Sequence, residues 1–315
     1  MPIDESLRTI LERQGYRVVG RHSGVKLCHW LGERLLRGRC CYKEDFYGIR
    51  SHRCLQMTPS LNHCTQTCLF CWRYQGRSER AITDPDDPKE ILDGMIAAHR
   101  KLITGYKGDP RCPPALWEEA WKPRHVAISL SGEPMLYEHL GALIEECHRR
   151  GMTTFLVTNG TCPETLERLE PLPTQLYVTV AAPNEAIYKR LCVPVIEKGW
   201  ERLQSSLALL PSLSTRRVIR HTLVRGWNMG HEDAYARLDM TAEPDFIEPK
   251  GYVFVGYSRE RMTLGNMPSH AEVRAFSREL AKRTGFEVVD EKEDSRVCLL
   301  SSHSKGSKIE GIGDA

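Results

Sequence analysis

The sequence predicts an α/β fold: an incomplete barrel of six parallel strands with helices outside it. Three observations carry this. Short β-branched runs recur along the chain, helical patterns fall between most of them, and a short polar or glycine-bearing motif follows each run. Strand–helix alternation implies parallel pairing, and six strands rather than eight imply an open barrel. In parallel barrels the chemistry sits at the C-terminal ends of the strands.

In order along the chain, Leu7, Ile10 and Leu11 first show helical spacing, in a segment without the basic-then-apolar order of a secretion signal. "RCLQM" (53–57) reads as the first strand and leads into "NHCTQTCLFCWRYQ" (62–75). "DPKEILDGMIAAHRKLI" (87–103) has apolar residues at 91, 92, 95, 96 and 102, a helical pattern. "HVAISL" (125–130) precedes "SGEP", "TTFLVT" (153–158) runs into "TNG", and "QLYVTV" (175–180) precedes "APNE". "RRVIRHTLV" (216–224) precedes "GWN", and "FIEPKGYVFV" (246–255) precedes "GYSRER". Helical patterns cover 136–150, 163–170, 184–210 with interruptions, and 231–239. Residues 1–52 read as an N-terminal extension, 53–302 as the barrel, and 303–315, polar and glycine-rich, as a flexible tail.

Apolar residues make up 41% of the 315 and charged residues 27%, with no apolar run approaching the roughly 20 needed to span a bilayer. The expectation is a soluble, cytoplasmic protein that needs no membrane. Its twelve cysteines cluster toward the N-terminal quarter. In a reducing compartment that favours metal or redox chemistry over disulfides. Net charge is only +3, yet Arg8 to Arg53 holds eleven Lys or Arg against four acidic residues, with Trp30, Tyr42, Phe46 and Tyr47 interleaved. Such a stretch suits RNA phosphates and stacked bases, and equally a solvated surface over core aromatics. Both readings stay open.

Cys64, Cys68 and Cys71 stand in a C-x3-C-x2-C array. A structural zinc normally closes with four ligands, and His63 could be a fourth. Three thiolates on a loop after the first strand suit a 4Fe-4S cluster held at three corners, its fourth iron free for a cofactor. Here the sequence resembles the radical S-adenosylmethionine (SAM) superfamily, in which the residue before the last Cys is commonly aromatic, as Phe70 is. The resemblance implies that "SGEP" receives the SAM amino group through Gly132, Glu133 and Pro134, although Ser131 stands where a glycine is usual. Thr158, Asn159 and Gly160 of "TNG" and Thr179 are further SAM contacts on that reading, and Ser258 and Arg259 touch SAM or substrate.

Upstream, Cys28, Cys41 and Cys54 are spaced thirteen apart. They fit a second cluster or buried hydrophobes. Cys40 adjoins Cys41 and could replace it as a ligand. Cys112, Cys147, Cys162, Cys192 and Cys298 read as packing residues.

The whole set, an N-terminal Cys-x12-Cys-x12-Cys, "CTQTCLFCWR", "AISLSGEP", "LVTNGT", "APNEAIY", "RHTLVRGWNM" and "GYVFVGYSRERM", resembles the 4-demethylwyosine synthases of tRNA wybutosine biosynthesis, in their shorter archaeal form. The resemblance runs from about residue 20 to 302. It implies a radical SAM partial barrel, two 4Fe-4S clusters (one SAM-binding, one auxiliary) and a lyase-type reaction. N1-methylguanosine 3′ of the anticodon in tRNA-Phe would be condensed with two carbons of pyruvate, through reductive SAM cleavage and a 5′-deoxyadenosyl radical. An external ferredoxin- or flavodoxin-type donor would supply electrons, and the chain is expected to be monomeric. Lys43, in "CCYKEDFYG", would lie beside the second cluster, forming a Schiff base with pyruvate or holding a carboxylate or phosphate; the sequence leaves these roles open. Because Cys54 is ten residues from Cys64, the basic segment is expected at the barrel mouth, with Arg34, Arg37 and Arg39 contacting tRNA. The competing readings are another radical SAM enzyme with an auxiliary cluster, acting on RNA or peptide, and a non-catalytic metal-containing RNA-binding protein.

Overall fold

The computed structural model describes residues 3–76, 78–302, 306–309 and 311. Its centre is six parallel strands in chain order: β3 (Cys54–Thr58), β4 (His125–Ile128), β5 (Thr153–Thr158), β6 (Gln175–Thr179), β7 (Arg216–Leu223) and β8 (Phe246–Gly251). These are the six strands the sequence predicts, two of them shorter by two to four residues.

Four further strands extend the sheet at its two edges. β1 (Tyr16–Val19) and β2 (Ser23–Lys26) form an antiparallel hairpin on β3. β9 (Glu287–Lys292) and β10 (Val297–Ser301) form another on β8, so the order is β1-β2-β3-β4-β5-β6-β7-β8-β10-β9. The sheet stays open between β1 and β9, so the barrel is incomplete. The N-terminal segment therefore shares the barrel sheet, and Val25 joins its main core.

Helices begin where side chains satisfy their free amides. Asp87 accepts from the amides of Lys89 and Glu90 and has proline behind it, starting the helix Pro88–Ile103. Asn184 caps Glu185–Leu191, and a Ser269/Glu272 capping box starts His270–Thr284.

The strands alternate faces with period two. Leu156, Leu176, Val178, Ile219 and Ile247 point to the helices and form the main core. Phe155, Tyr177, Val218, Phe246, Val297 and Leu299 point the other way, into the lumen. The short helix Tyr42–Tyr47 plugs that lumen, packing Tyr42, Phe46 and Tyr47 against these inner residues. Its position corrects one expectation. Cys54 opens β3 while Cys64 follows its far end, so the basic segment reaches the lumen from the end opposite the Cys64–Cys71 loop.

The C-terminal stretch is attached rather than free over its described part. The Ile309 amide donates to the Tyr47 carbonyl at 3.0 Å, and Arg216 donates to the Ser307 carbonyl at 2.6 Å. Residues 303–305, 310 and 312–315, on which the flexible-tail expectation also rests, lie outside the described residues. Among the described residues no helix is long and apolar enough to cross a membrane.

Candidate active site

A cavity of about 360 Å³ opens at the C-terminal ends of the strands. Cys64, Cys68 and Cys71 line it, together with Gly132, Glu133, Thr158, Asn159 and Thr179. Eight residues singled out in four separate sequence segments thus meet at one mouth.

Backbone pairing fixes the cysteine loop. The amides of Thr67 and Leu69 donate to the carbonyls of Val193 and Leu191, and the Val195 amide donates to Thr65. The "SGEP" turn locks onto the same loop. The Glu133 amide donates to the His63 carbonyl at 2.8 Å. Gly132 has φ +73°, and a Cβ there would lie 1.8 Å from the Ser60 carbonyl oxygen, so only glycine allows this approach.

Glu133 is buried. Its Oε1 accepts from the Met135 amide at 3.0 Å and the Thr158 hydroxyl at 2.7 Å, and its Oε2 from the Asn159 amide at 2.7 Å. A carboxylate has about four acceptor positions, so Oε2 keeps one for a ligand in the cavity. Burial raises its pKa to about 7, against the lowering effect of those three donors. Asn159 ties this group to the cysteine loop, donating to Thr65 Oγ1 at 2.8 Å and lying 3.8 Å from Cys64 Sγ. Pro134 and Gly160 shape the turns without lining the cavity. Pro134 starts a 3-10 turn, and Gly160 (φ +74°) backs onto Leu203 and Val178.

The three thiols fit a cluster better than a single ion. Around one zinc, thiolates at about 2.3 Å from the metal would stand about 3.8 Å apart. Among the described residues, the one candidate ligand group drawn within 4.8 Å is His270, Glu291 and Cys298, away from this cavity; neither cysteine triplet is that tight. His63 does not complete a set: it faces Glu79 and the His22 ring, and the cavity does not include it. Burial raises the Cys64 thiol to about 12 and also raises Cys71. Arg73 offsets this. Its buried guanidinium donates to the Gln66 carbonyl at 2.9 Å, and its charge favours all three thiolates. Arg73 directly follows the array in "CWR", yet the sequence reading passed over it. Cys192, read there as packing, also lines the cavity. It stands in register opposite Cys68, whose thiol it raises through a hydrogen bond.

Cys28, Cys41 and Cys54 meet near the plug. Cys28 and Cys41 are the N-cap residues of the helices His29–Arg37 and Tyr42–Tyr47, and Cys54 opens β3. Burial raises all three thiols, Cys41 to about 12, and the Cys28 thiol raises the other two further. Helix-terminal amides and the Lys43 ammonium counter this, the setting that suits thiolate ligands. Cys40 points away, donating to Asp45 at 3.2 Å.

Between the triplets the lumen carries charges. Lys43 is buried over the faces of Phe155 and Tyr177, 4.7 and 4.5 Å from their centroids. Burial lowers its pKa, as does the nearby Arg220. Arg220 and Glu248 are partners in the β7–β8 register, and Arg220 donates to Glu248 at 2.7 Å. Arg220 and Lys250 line the cavity; Lys43 lies one ring below it, sharing Tyr177 with Arg220.

The remaining predicted residues sit outside the cavity. Ser258 is buried, donating to the Val255 carbonyl at 2.6 Å. Arg259 is exposed over the Phe254 ring. Arg37 and Arg39 both pair with Glu33, Arg39 also with Asp294, and Arg34 lies 3.4 Å from Glu44.

Comparison with known proteins agrees with this geometry. The radical SAM superfamily model matches residues 58–238, and a wyosine base formation model matches 241–302. An S-adenosyl-L-methionine-dependent tRNA 4-demethylwyosine synthase of Pyrococcus abyssi is 52% identical, over 94% of this chain and 88% of its own length. Its namesake in Methanocaldococcus jannaschii is 39% identical, over 96% of this chain and 98% of its own. A solved TYW1 with a lysine–pyruvate adduct bound superposes with TM-score 0.90 at 36% identity, covering 98% of this chain and 100% of that one. A crystal structure of archaeal TYW1 gives 0.81 at 34% identity, covering 98% and 100%.

Proposed function

This chain belongs to the SAM-dependent tRNA 4-demethylwyosine synthases, radical SAM enzymes that use SAM and a 4Fe-4S cluster, and on that premise we propose its substrates and the roles of its residues. It condenses N1-methylguanosine 3′ of the anticodon in tRNA-Phe with two carbons of pyruvate. Cys64, Cys68 and Cys71 hold the SAM-binding cluster, and Cys28, Cys41 and Cys54 an auxiliary one. An N-methyl C–H has no useful acidity, so the cluster and SAM, when bound, would supply radical chemistry at that carbon, with electrons from an external donor.

The chain's own residues position the reactants. Glu133 accepts the SAM ammonium at its free Oε2 position, backed by Thr158, Asn159 and the Gly132 approach. Thr179 adds a polar group on the cavity wall. Lys43 engages pyruvate as a Schiff base, its amine held free by burial. Aromatic faces at Phe155 and Tyr177 exclude water around it. One observation carries the reading. A single lumen joins the end bearing Cys64, Cys68, Cys71 and Glu133 to a floor with the buried Lys43 beside a second set of thiols. Mass spectrometry of tRNA-Phe bases after incubation with SAM, pyruvate and a reductant tests it. The tricyclic base should appear only with all three, and a product independent of pyruvate would refute the assignment.

Glu133 makes SAM binding pH-dependent. Its carboxyl titrates near 7 and only the ionised form pairs with an ammonium. Below pH 7, SAM affinity should fall by up to about tenfold per unit, because one proton must leave on binding. Glu133→Gln should bind weakly with no such slope. Equilibrium binding of SAM across pH 5.5–7.5 checks this.

The tRNA loop docks at the cavity mouth. Around it, Lys26, Arg190 and Arg259 lie over Trp72, Trp227 and Phe254, at 4.7, 5.4 and 5.4 Å, without a carboxylate partner among the described residues. Arg34, Arg37 and Arg39 are ion-paired on the segment that enters from the opposite end, and lie outside this docking surface. Replacing Lys26, Arg190 and Arg259 by Ala should reduce the log–log salt slope of tRNA binding by about two. The Arg34, Arg37 and Arg39 triple replacement should leave it nearly unchanged. An unchanged slope in the first variant would place the loop elsewhere.

A further inference from the structure

We propose that a hollow beside the cavity mouth is a second nucleobase site, holding the base immediately 5′ of the reacting guanosine and reading its exocyclic amine. The inference rests on the reading that the tRNA loop docks at this mouth. The hollow, of about 480 Å³, is lined by Gln14, Lys26, Trp72, Val255, Tyr257 and Glu260. No cysteine is among its described lining residues, so it is separate from both thiol sets. Trp72 and Val255 line the cavity as well, and the two spaces share that wall. A shared wall suits adjacent nucleotides. A base drawn out of a stacked loop leaves its neighbour with a bare face, and aromatic side chains take up such faces.

The wall is held from behind. Trp72 stacks on the buried Tyr16 ring, with centroids 5.8 Å and planes 12° apart. The Trp72 carbonyl accepts from the Tyr257 amide at 3.0 Å. Gly256 has φ +56°, and a Cβ there would lie 2.4 Å from that same carbonyl oxygen. The loop after β8 is thereby fixed against the residue that follows the cysteine array. Tyr257 in turn meets the Tyr74 ring edge-on, with centroids 5.1 Å apart. The Lys26 ammonium stands 4.7 Å from the Trp72 centroid and 5.1 Å from that of Tyr16.

The polar groups of the hollow specify which base it takes. Gln14 spends its side-chain nitrogen on the Ile10 carbonyl at 3.1 Å, which leaves Oε1 as an open acceptor. Glu260 is exposed, and its carboxylate has no hydrogen-bond or ion-pair partner among the described residues. A bare carboxylate at an RNA-binding rim repels phosphates, so it needs a donor from the base side. Two acceptors suit the two N–H bonds of an exocyclic amine and disfavour the carbonyl edge of uracil. Lys26 supplies a cation for the backbone phosphate. Adenine carries such an amine. The base 5′ of the methylated guanosine is adenine, because it pairs with the uracil that opens both phenylalanine codons.

The test is equilibrium binding of anticodon stem–loop RNA carrying N1-methylguanosine to the reconstituted enzyme. Three loops are compared, with adenosine, purine riboside (which lacks the amine) or an abasic residue at the 5′ neighbour. The wild type should bind the abasic loop about tenfold or more weaker than the adenosine loop, the scale of one lost base stack. It should bind the purine riboside loop about fivefold weaker, the scale of a hydrogen bond to a charged acceptor. Gln14→Ala combined with Glu260→Ala should bind the adenosine and purine riboside loops alike and still bind the abasic loop more weakly. A purely structural role for these two side chains would not remove the response to the amine. Equal binding of the three loops by the wild type, or an amine preference that the double variant keeps, would overturn the inference. So would a loss seen only when the 3′ neighbour is made abasic instead. The wild-type comparison stands even if the double variant fails to fold. If the wild type does not bind the adenosine loop at all, the docking of tRNA at this mouth fails, and the inference with it.

Discussion

Changing Cys64, Cys68 and Cys71 together to Ala is expected to remove about half the iron of the reconstituted protein and bring reductive SAM cleavage to background. The three thiols line one cavity with Glu133 and Asn159, where the one further cysteine among the described lining residues is Cys192. On the proposed assignment Glu133 would hold the amino acid end of SAM at this mouth, so iron left at the plug would not substitute. Release of 5′-deoxyadenosine under dithionite, measured beside the wild type, reads this directly. Cleavage that persisted in the triple variant would move the SAM site away from the mouth.

Lys43→Ala should lower formation of the modified base by on the order of 10⁴-fold, the scale for losing a covalent catalytic group. The informative variant is Lys43→Arg. A guanidinium keeps the charge but cannot serve as the amine of a Schiff base. If Lys43 forms the iminium, Arg fails as badly as Ala, and borohydride trapping vanishes in both. If Lys43 only holds a carboxylate or phosphate, Arg restores much of the activity.

The barrel was legible in the sequence because buried parallel strands are short runs rich in apolar and β-branched residues without acidic or basic interruptions, as "VAISL" and "TTFLVT" are. The edge hairpins were not. "YRVV" and "SGVK" are four residues each, and "EVVDEK" is largely exposed, so pairing to β3 and β10 rather than local pattern makes them strands. The cysteine triplets, Glu133 and Asn159 were legible because their chemistry needs fixed spacing. The lumen charges were missed, although a signal existed. Arg220 lies within "RRVIRHTLV" and Glu248 and Lys250 within "FIEPKGYVFV", both read as buried strands, where an unexplained charge marks an inner face. Spacing along one chain could not show that Arg220 and Glu248 share a register, or that Cys192 stands opposite Cys68. Nor could it show that Glu33, Glu44 and Asp294 pair with the arginines expected to hold tRNA. Ion pairing is decided by which elements pack together.

The central claim is that two cysteine triplets at opposite ends of one lumen each hold a cluster. Iron and sulfide counts on the anaerobically reconstituted protein test it most directly. The account predicts about eight irons per wild-type chain and about four in each triple-alanine variant, Cys64/Cys68/Cys71 or Cys28/Cys41/Cys54. About four irons in the wild type, unchanged when Cys28, Cys41 and Cys54 are replaced, would contradict it.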